Sequence, residues 1–267
     1  MKTKRYSLLK CNWVVCFVFF ISLLLSFKNS FAEQGKIRVL FVGNSLTYVN
    51  DLPKMISQIA QSRNFVMEND MYAPGGYKLS QHALDPVLKD KINHSKWDFV
   101  VLQEQSQLPA FSKEQVSREV YPYAETLSQL IKQSNSKTRV VFYMTMALKD
   151  GDQENIKIFP ELATYEGMQK KINPSYIQMA QQNQGILVPV GVVWQKVRSD
   201  KPELELYADD RHPSLIGTYL TACVFYSILF HDSPIGISYP SQIDEGTANY
   251  LQRITEQTVK SQSWDWL

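Results

Sequence analysis

The sequence contains little cysteine and little histidine, with three and four residues of these types among 267. Two of the cysteines, Cys11 and Cys16, lie before or within an apolar run near the N-terminus, so the rest of the chain can form no internal disulfide. The sequence also lacks CxxC, HxH and HExxH patterns, which argues against a structural zinc site. We therefore predict no metal and no cofactor. Cys223 lies in an apolar helical pattern, which favours a buried thiol over a nucleophile.

A large net charge is absent as well. The formal net charge of +2 comes from 28 basic and 26 acidic residues. The first 32 residues carry five of the basic residues and no acidic residue, so residues 33–267 have a net charge of −3. Neither value favours binding to nucleic acid or to an anionic membrane surface.

Residues 1–32 have the pattern of a secretory signal peptide. A basic segment at residues 2–10 precedes an apolar run from Trp13 to Phe27, and small residues follow at Ser30 and Ala32. These are the three parts of such a signal. We predict cleavage after Ala32 and a secreted or periplasmic protein. The alternative is an uncleaved membrane anchor, for which the apolar run is short.

Short apolar runs alternate with helical patterns over residues 33–267, and no linker divides this region into two domains. The predicted strands are Ile37–Val42, Phe65–Tyr72, Asp98–Gln103, Arg139–Met144 and a segment within Ile186–Val193. Helices are predicted at 52–60, 79–92, 112–133, 165–182, 214–230 and 241–261, with Pro86 and Pro174 bending or dividing theirs. This alternation predicts an α/β fold, a three-layer α/β/α sandwich with a central parallel sheet of about five strands.

Polar residues follow the first three predicted strands, at the edge of the sheet where such proteins bind ligands. Ser45 follows the first strand in the sequence GNSLT, Gly75 and Gly76 follow the second, and residues 103–106 follow the third. A serine behind a glycine on a tight turn exposes its hydroxyl to substrate. Most serines at this place only cap the next helix, so Ser45 alone does not establish catalysis.

Asp209 and His212 form a second motif, directly before the long apolar helix. Their spacing lets one turn bring the Asp209 carboxylate to the imidazole Nδ1–H, which leaves Nε2 free to take a proton from a serine hydroxyl. Asp210 is a rival acid, but it stands only two positions from His212. The spacing differs from that of α/β-hydrolases, and the sequence has no GxSxG elbow.

Together these blocks resemble those of the SGNH, or GDSL-type, hydrolase superfamily: a GDS-like nucleophile, a glycine after the second strand, an asparagine after the third and a late DxxH. The resemblance implies the flavodoxin-like SGNH hydrolase fold and a catalytic triad of Ser45, His212 and Asp209. It also implies an oxyanion hole made by the backbone N–H groups of Ser45 and Gly76 and by the side-chain amide of Gln105.

The resemblance covers residues 37 to about 229, and two of its blocks depart from the family pattern. Asn44 replaces the aspartate of GDS, and the sequence QEQS replaces GxND after the third strand. Some divergent SGNH-like bacterial proteins look similar, with LQEQS at this place. Register assigns Gln105 to the asparagine position, but the pattern leaves open whether Gln103 or Gln105 points into the site.

The resemblance implies a serine esterase or O-deacetylase that acts on an acyl ester of a small molecule or a carbohydrate. A lipase or lysophospholipase is one alternative, and a non-catalytic carbohydrate-binding or scaffolding protein on a degenerate SGNH fold is another. We expect no nucleic-acid partner and, after signal cleavage, no membrane association; the oligomeric state is open. We interpret His82 as a surface residue of its helix and Arg211 as a partner of nearby acidic side chains.

Overall fold

A computed structural model describes residues 35–261 of the chain. The predicted signal peptide, residues 1–32, lies outside this range and stays a prediction. Within residues 35–261, no helix is long and apolar enough to cross a membrane. Over the same range, no group of three or more histidine, cysteine, aspartate or glutamate side chains is placed to hold a metal ion.

Five parallel strands form one sheet in the order β2-β1-β3-β4-β5. They are β1 (Lys36–Val42), β2 (Val66–Tyr72), β3 (Phe99–Leu102), β4 (Arg139–Tyr143) and β5 (Ile186–Val188). The last four residues of β1 and nearly all of β3 and β4 are apolar and buried. Strands covered by helices on both faces need such continuous apolar runs, which is why these runs predicted the sheet.

Ten α-helices accompany the sheet within the described residues. They are α1 (Ser45–Tyr48), α2 (Leu52–Gln61), α3 (Leu79–Leu84), α4 (Pro86–Asn93), α5 (Lys113–Glu119), α6 (Tyr121–Ser134), α7 (Tyr165–Gln182), α8 (Val190–Asp200), α9 (Leu215–Phe230) and α10 (Glu245–Ser261). Short 3₁₀ helices lie at Val49–Asp51, Leu108–Ala110 and Pro160–Leu162.

The connections place these helices in two layers. The chain moves from β1 to β2 in one direction along the sheet and from β2 through β5 in the other, so right-handed crossovers lie on opposite faces. On one face α2 packs against α9, which packs against α10. On the other face α6 packs against α3, α4 and α7. The result is the predicted three-layer α/β/α sandwich.

Three predicted elements differ from the structure. The helix predicted at 112–133 is two helices, since Pro122 cannot donate to a preceding turn and the helix breaks at Val120. Pro174 does not divide α7, which runs through it. Ile186–Val193 yields only a three-residue strand, and α8 begins directly after Pro189.

The order in which the chain adds strands to the sheet reverses between β1 and β3, although the two strands are parallel. The connection that leaves β1 goes to β2 on one side, whereas the chain continues from β3 to β4 on the other. Loops that leave adjacent strands in opposite directions open a crevice at the carboxyl edge of the sheet. Residues 43–45 follow β1 and residues 103–107 follow β3, so both segments border this crevice. We call them the nucleophile loop and the β3 loop.

Candidate active site

Gly43 lets the nucleophile loop pack tightly onto the β3 loop. A Cβ atom at this position would lie 2.3 Å from Thr47 Oγ1 and 2.4 Å from Gln103 Oε1, so a side chain does not fit. Gln103 Oε1 accepts hydrogen bonds from the Asn44 N–H at 2.8 Å and from the Thr47 hydroxyl at 2.9 Å. Ser45 then stands at the first position of α1, partly exposed.

Asn44 joins this loop to the segment that follows β2. Its Oδ1 accepts from the Leu46 N–H at 3.2 Å and caps α1, while its Nδ2 donates to the Tyr77 carbonyl oxygen at 2.9 Å. An ionised aspartate could make the first contact but has no hydrogen to donate for the second. The asparagine in place of the family aspartate therefore acts as a donor here.

The structure brings Ser45, His212 and Asp209 together. Ser45 Oγ lies 2.9 Å from His212 Nε2, and His212 Nδ1 lies 2.8 Å from Asp209 Oδ2. With hydrogen on Nδ1, the imidazole donates to the carboxylate and presents the Nε2 lone pair to the serine hydroxyl. These distances suit proton transfer from the hydroxyl to the imidazole.

Hydrogen bonds keep Asp209 ionised. Partial burial acts to raise the pKa of this carboxyl, but backbone N–H groups of His212 and Arg211 and the His212 side chain outweigh it, and the pKa falls to about 2. Asp209 Oδ1 accepts both backbone bonds, at 2.7 and 2.8 Å. The Asp209 carboxylate is therefore held in place and stays ionised at neutral pH.

Contacts on both sides hold the segment that carries His212. A single antiparallel bridge joins Tyr207 to Pro213, and Asn50 Nδ2 donates to the Pro213 carbonyl oxygen at 3.1 Å. Asn50 has a left-handed backbone with φ of 54°, which asparagine tolerates better than most residues. This link between the Ser45 and His212 segments was not predicted.

The neighbours of this motif take the expected roles. The Asp210 carboxylate is largely exposed and lies 3.8 Å from Arg211, so Asp209 is the acid that reaches His212. Arg211 also lies 3.9 Å from Glu154. It pairs with acidic side chains, as the sequence indicated.

Two backbone N–H groups that the sequence predicted as oxyanion donors have no acceptor within residues 35–261. One belongs to Ser45, the first residue of α1, and the other to Gly76. Gly76 has a left-handed backbone with φ of +72°, whereas Gly75 does not. The Tyr77 N–H donates to the Pro74 carbonyl oxygen at 3.2 Å, which forms a turn around the two glycines. No atom would contact a Cβ at Gly76, so its surroundings are open.

Gln103 and Gln105 differ in their surroundings. Gln103 is fully buried and supports the nucleophile loop, so it does not face a substrate. Gln105 Oε1 accepts from the backbone N–H groups of Gln107 and Leu108, and its Nε2 donates to Gln107 Oε1 at 2.9 Å. The second N–H of this amide has no acceptor within the described part of the chain. The assignment of Gln105 to the oxyanion hole stays a prediction.

The interpretation of His82 as a surface residue is wrong. Its side chain is buried, and its Nε2 lies 2.8 Å from the Gly43 carbonyl oxygen, directly behind the nucleophile loop. Burial lowers the pKa of the imidazole, so the ring is neutral and donates from Nε2. His82 follows Leu79 by three positions and precedes Ala83, and this apolar face was the signal for burial.

Comparisons with known proteins support the fold. No protein-family model matches the sequence, and no curated protein matches it. A solved structure from Bacteroides uniformis, of a DUF4886 family protein, superposes with a TM-score of 0.73 at 17% identity, over 85% of this chain and 95% of that one. An acetyl xylan esterase, AlAXEase, superposes with a TM-score of 0.52 at 17% identity, over 72% of this chain and 98% of that one.

A third structure is more similar in sequence. It comes from Slackia heliotrinireducens, is described as "a putative SGNH hydrolase", and superposes with a TM-score of 0.60 at 28% identity, over 73% of this chain and all of that one. The five-stranded parallel sheet and the helices on its faces agree with that fold. The chain therefore has the fold of SGNH hydrolases, and it is similar in sequence to one structure described as such at 28% identity.

Proposed function

We propose that the chain is an exported serine esterase or O-deacetylase, and that Ser45, His212 and Asp209 are its catalytic triad. The observation that carries the proposal is the continuous chain of hydrogen bonds from Ser45 Oγ through both imidazole nitrogens to Asp209 Oδ2, at 2.9 and 2.8 Å. Export rests on the signal pattern of residues 1–32.

The reaction begins when His212 Nε2 takes the hydroxyl proton and Ser45 Oγ attacks the acyl carbonyl carbon. The tetrahedral intermediate collapses, and the alcohol leaves with the proton that His212 returns. A water molecule then repeats the cycle on the acyl-enzyme and releases the acid. Asp209 stabilises the imidazolium in both halves of the reaction.

The carbonyl oxygen becomes negative during each attack and requires donors. The N–H groups of Ser45 and Gly76 suit this role because neither has an acceptor within residues 35–261. The Gln105 amide, with one N–H unused, is the third donor. One good donor of this kind stabilises the transition state by about 3–4 kcal/mol.

The exposure of the site favours an ester carried on a large alcohol such as a carbohydrate. Gly75 and Gly76 are exposed, and Tyr48, three residues after the nucleophile, is 42% exposed. An open site with an exposed aromatic ring beside the nucleophile accommodates a substrate that extends beyond the reacting group. The acetyl xylan esterase among the structural neighbours acts on such a substrate by its name, although at 17% identity it supports the fold alone.

Substitution of the nucleophile tests this proposal. Ser45→Ala is expected to reduce kcat for p-nitrophenyl acetate at least about a thousandfold, since it removes the atom that forms the acyl-enzyme. Labelling by a fluorophosphonate probe should disappear with it. Release of acetate from acetylated polysaccharides, compared with release of longer acyl chains from synthetic esters, then identifies the substrate.

Ser136 provides the matched control, because it is exposed in the turn before β4, at the opposite edge of the sheet. Ser136→Ala should retain both the labelling and the activity. A wild-type protein that hydrolyses no ester and takes up no probe would contradict the proposal. That outcome would favour the non-catalytic carbohydrate-binding alternative.

A further inference from the structure

The carboxyl group of Glu104 binds two separate segments through one oxygen atom. Oε1 accepts a hydrogen bond from the Leu79 N–H at 3.1 Å and from the Gln105 N–H at 2.6 Å. The Glu104 backbone N–H donates to the Tyr176 hydroxyl oxygen at 3.1 Å, which fixes the residue to α7. Glu104 has no exposed surface.

Both segments carry groups that the proposed reaction uses. Leu79 begins α3 and follows Gly76 by three positions, at the end of what we call the glycine loop, residues 73–78. Gln105 supplies the candidate side-chain donor. The two oxyanion donors outside the nucleophile loop therefore depend on the position of the same carboxyl oxygen.

Besides the Leu79 contact with Glu104 of the β3 loop, one side-chain hydrogen bond within residues 35–261 joins the glycine loop to the nucleophile loop. Asn44 Nδ2 donates to the Tyr77 carbonyl oxygen at 2.9 Å, two residues before the Glu104 contact with Leu79. The loop itself is exposed at Gly75 and Gly76. An exposed loop of this kind moves unless its ends are held, and here Asn44 and Glu104 hold the end that leads into α3.

We infer that Glu104 is a positioning residue of the oxyanion hole, whose Oε1 fixes the glycine loop against the β3 loop so that the Gly76 N–H and the Gln105 amide face one point. This inference rests on the proposed ester hydrolysis. A donor must lie within about 2.7–3.1 Å of the developing oxyanion to stabilise it, so a small shift of either loop lowers the rate of the chemical step.

The two oxygen atoms of the Glu104 carboxyl differ in their contacts. Its Oε2 is buried and has no hydrogen-bond partner within the described residues. Burial raises the pKa of the carboxyl to about 7. The positive charge of Lys78, before α3, opposes this shift. Tyr176 on α7 is the other titratable group that interacts with Glu104. A half-satisfied buried carboxyl has a desolvation cost, while its Oε1 satisfies the Leu79 and Gln105 N–H groups.

Two substitutions separate the acceptor from the rest of the side chain. Glu104→Gln retains Oε1, whereas Glu104→Met has a similar length and no strong acceptor. We expect Glu104→Met to lower kcat for p-nitrophenyl acetate about 30-fold with KM within threefold of the wild type, and Glu104→Gln to retain kcat within threefold. Glu166, exposed on the first turn of α7, is the control: Gln and Met there should leave both constants unchanged.

Amide hydrogen exchange provides a readout that does not depend on catalysis. Glu104→Met should speed exchange in residues 76–79 and at Gln105, and Glu104→Gln should not. Any of three results would overturn the inference. These are an unchanged kcat in Glu104→Met, an effect of that substitution on KM alone, and an equal loss of kcat in Glu104→Gln. If the wild-type protein hydrolyses no ester, the proposed function fails; unchanged exchange in Glu104→Met would then also refute the positioning role.

Discussion

At the scale of single residues, the candidate site depends on polar side chains buried behind the proposed catalytic groups. Asn44, His82, Gln103 and Glu104 are almost fully buried, and each bonds to the backbone of another segment. Each of these hydrogen bonds matters, because a buried polar atom left unpaired costs about 1–3 kcal/mol. They hold three loops in place relative to one another, and Ser45 and the proposed oxyanion donors stand on those loops.

The same network makes stability depend on pH through Glu104. Its pKa is raised by burial to about 7 from an ordinary value of 4.5, so the folded protein binds the proton more tightly than the unfolded chain does. This carboxyl therefore contributes stability below about pH 4.5, and the contribution is lost as the pH rises to about 7. The free energy of unfolding falls by about 3 kcal/mol over this pH range.

Glu104→Gln removes that proton-binding step and keeps the Oε1 acceptor. We expect the variant to gain stability relative to the wild type by about 3 kcal/mol between pH 4.5 and pH 8, measured by urea unfolding at both pH values. Glu166→Gln, on the surface, should show no such change. A stability difference that is the same at both pH values would contradict a raised pKa for Glu104.

The sequence predicted the residues that we propose to carry the chemistry, but it did not predict the buried residues that support them. Ser45 and His212 were accessible to prediction because they stand in short motifs at the ends of predicted elements, and Asp209 reaches His212 within one turn. Glu104 and His82 bond to residues 25 and 39 positions away, and only the assembled sheet brings these partners together. No local pattern encodes such contacts.

At the scale of elements, the starts of helices position the proposed catalytic groups. Ser214 caps α9: its Oγ accepts from the Gly217 N–H at 3.1 Å and donates to the Glu205 carbonyl oxygen at 2.9 Å. The cap stands two residues after His212, so it fixes both the first turn of α9 and the segment that holds the imidazole. A cap of this type contributes about 1 kcal/mol.

Ser214→Ala is expected to cost about 1 kcal/mol of unfolding free energy and to lower kcat about tenfold, because His212 loses support on one side. Ser112 caps α5 with a similar bond, at 3.2 Å to the Gln115 N–H, and does not adjoin the triad. Ser112→Ala should therefore show a similar loss of stability with unchanged kcat. Equal kcat values in the two variants would show that the α9 cap does not position His212.

The elements also differ in how well their sequence identifies them. β1, β3 and β4 are continuous apolar runs that only a covered strand requires, and they were predicted within one or two residues. α8 was missed because its first residues, Val190 to Val193, have strand propensity. Pro189, which cannot donate to a sheet, was the local sign that the strand had ended.

At the scale of the whole molecule, strand order turns separate motifs into one site. Ser45 follows β1, the glycine loop follows β2 and the β3 loop follows β3, and these strands are adjacent in the order β2-β1-β3. Parallel strands direct all three loops to the same edge. The alternation of elements could predict that edge. Ser45 and His212 are 167 positions apart in the sequence. The distance of 2.9 Å between Ser45 Oγ and His212 Nε2 depends on packing that the sequence pattern does not specify.

The charge of the whole molecule provides a test of export. The formal net charge is +2 for the full chain and −3 for residues 33–267, so removal of the signal should convert a slightly basic protein into an acidic one. When the full sequence is expressed in a bacterial host, we expect the exported fraction to begin at Glu33, as read by N-terminal sequencing, and to focus at a lower isoelectric point than the full chain. Ala32→Leu places a large side chain where signal peptidase requires a small one, and it should leave the precursor uncleaved. A wild-type protein that keeps Met1 and stays in the membrane fraction would instead support the uncleaved anchor, and the site would then act from the membrane surface.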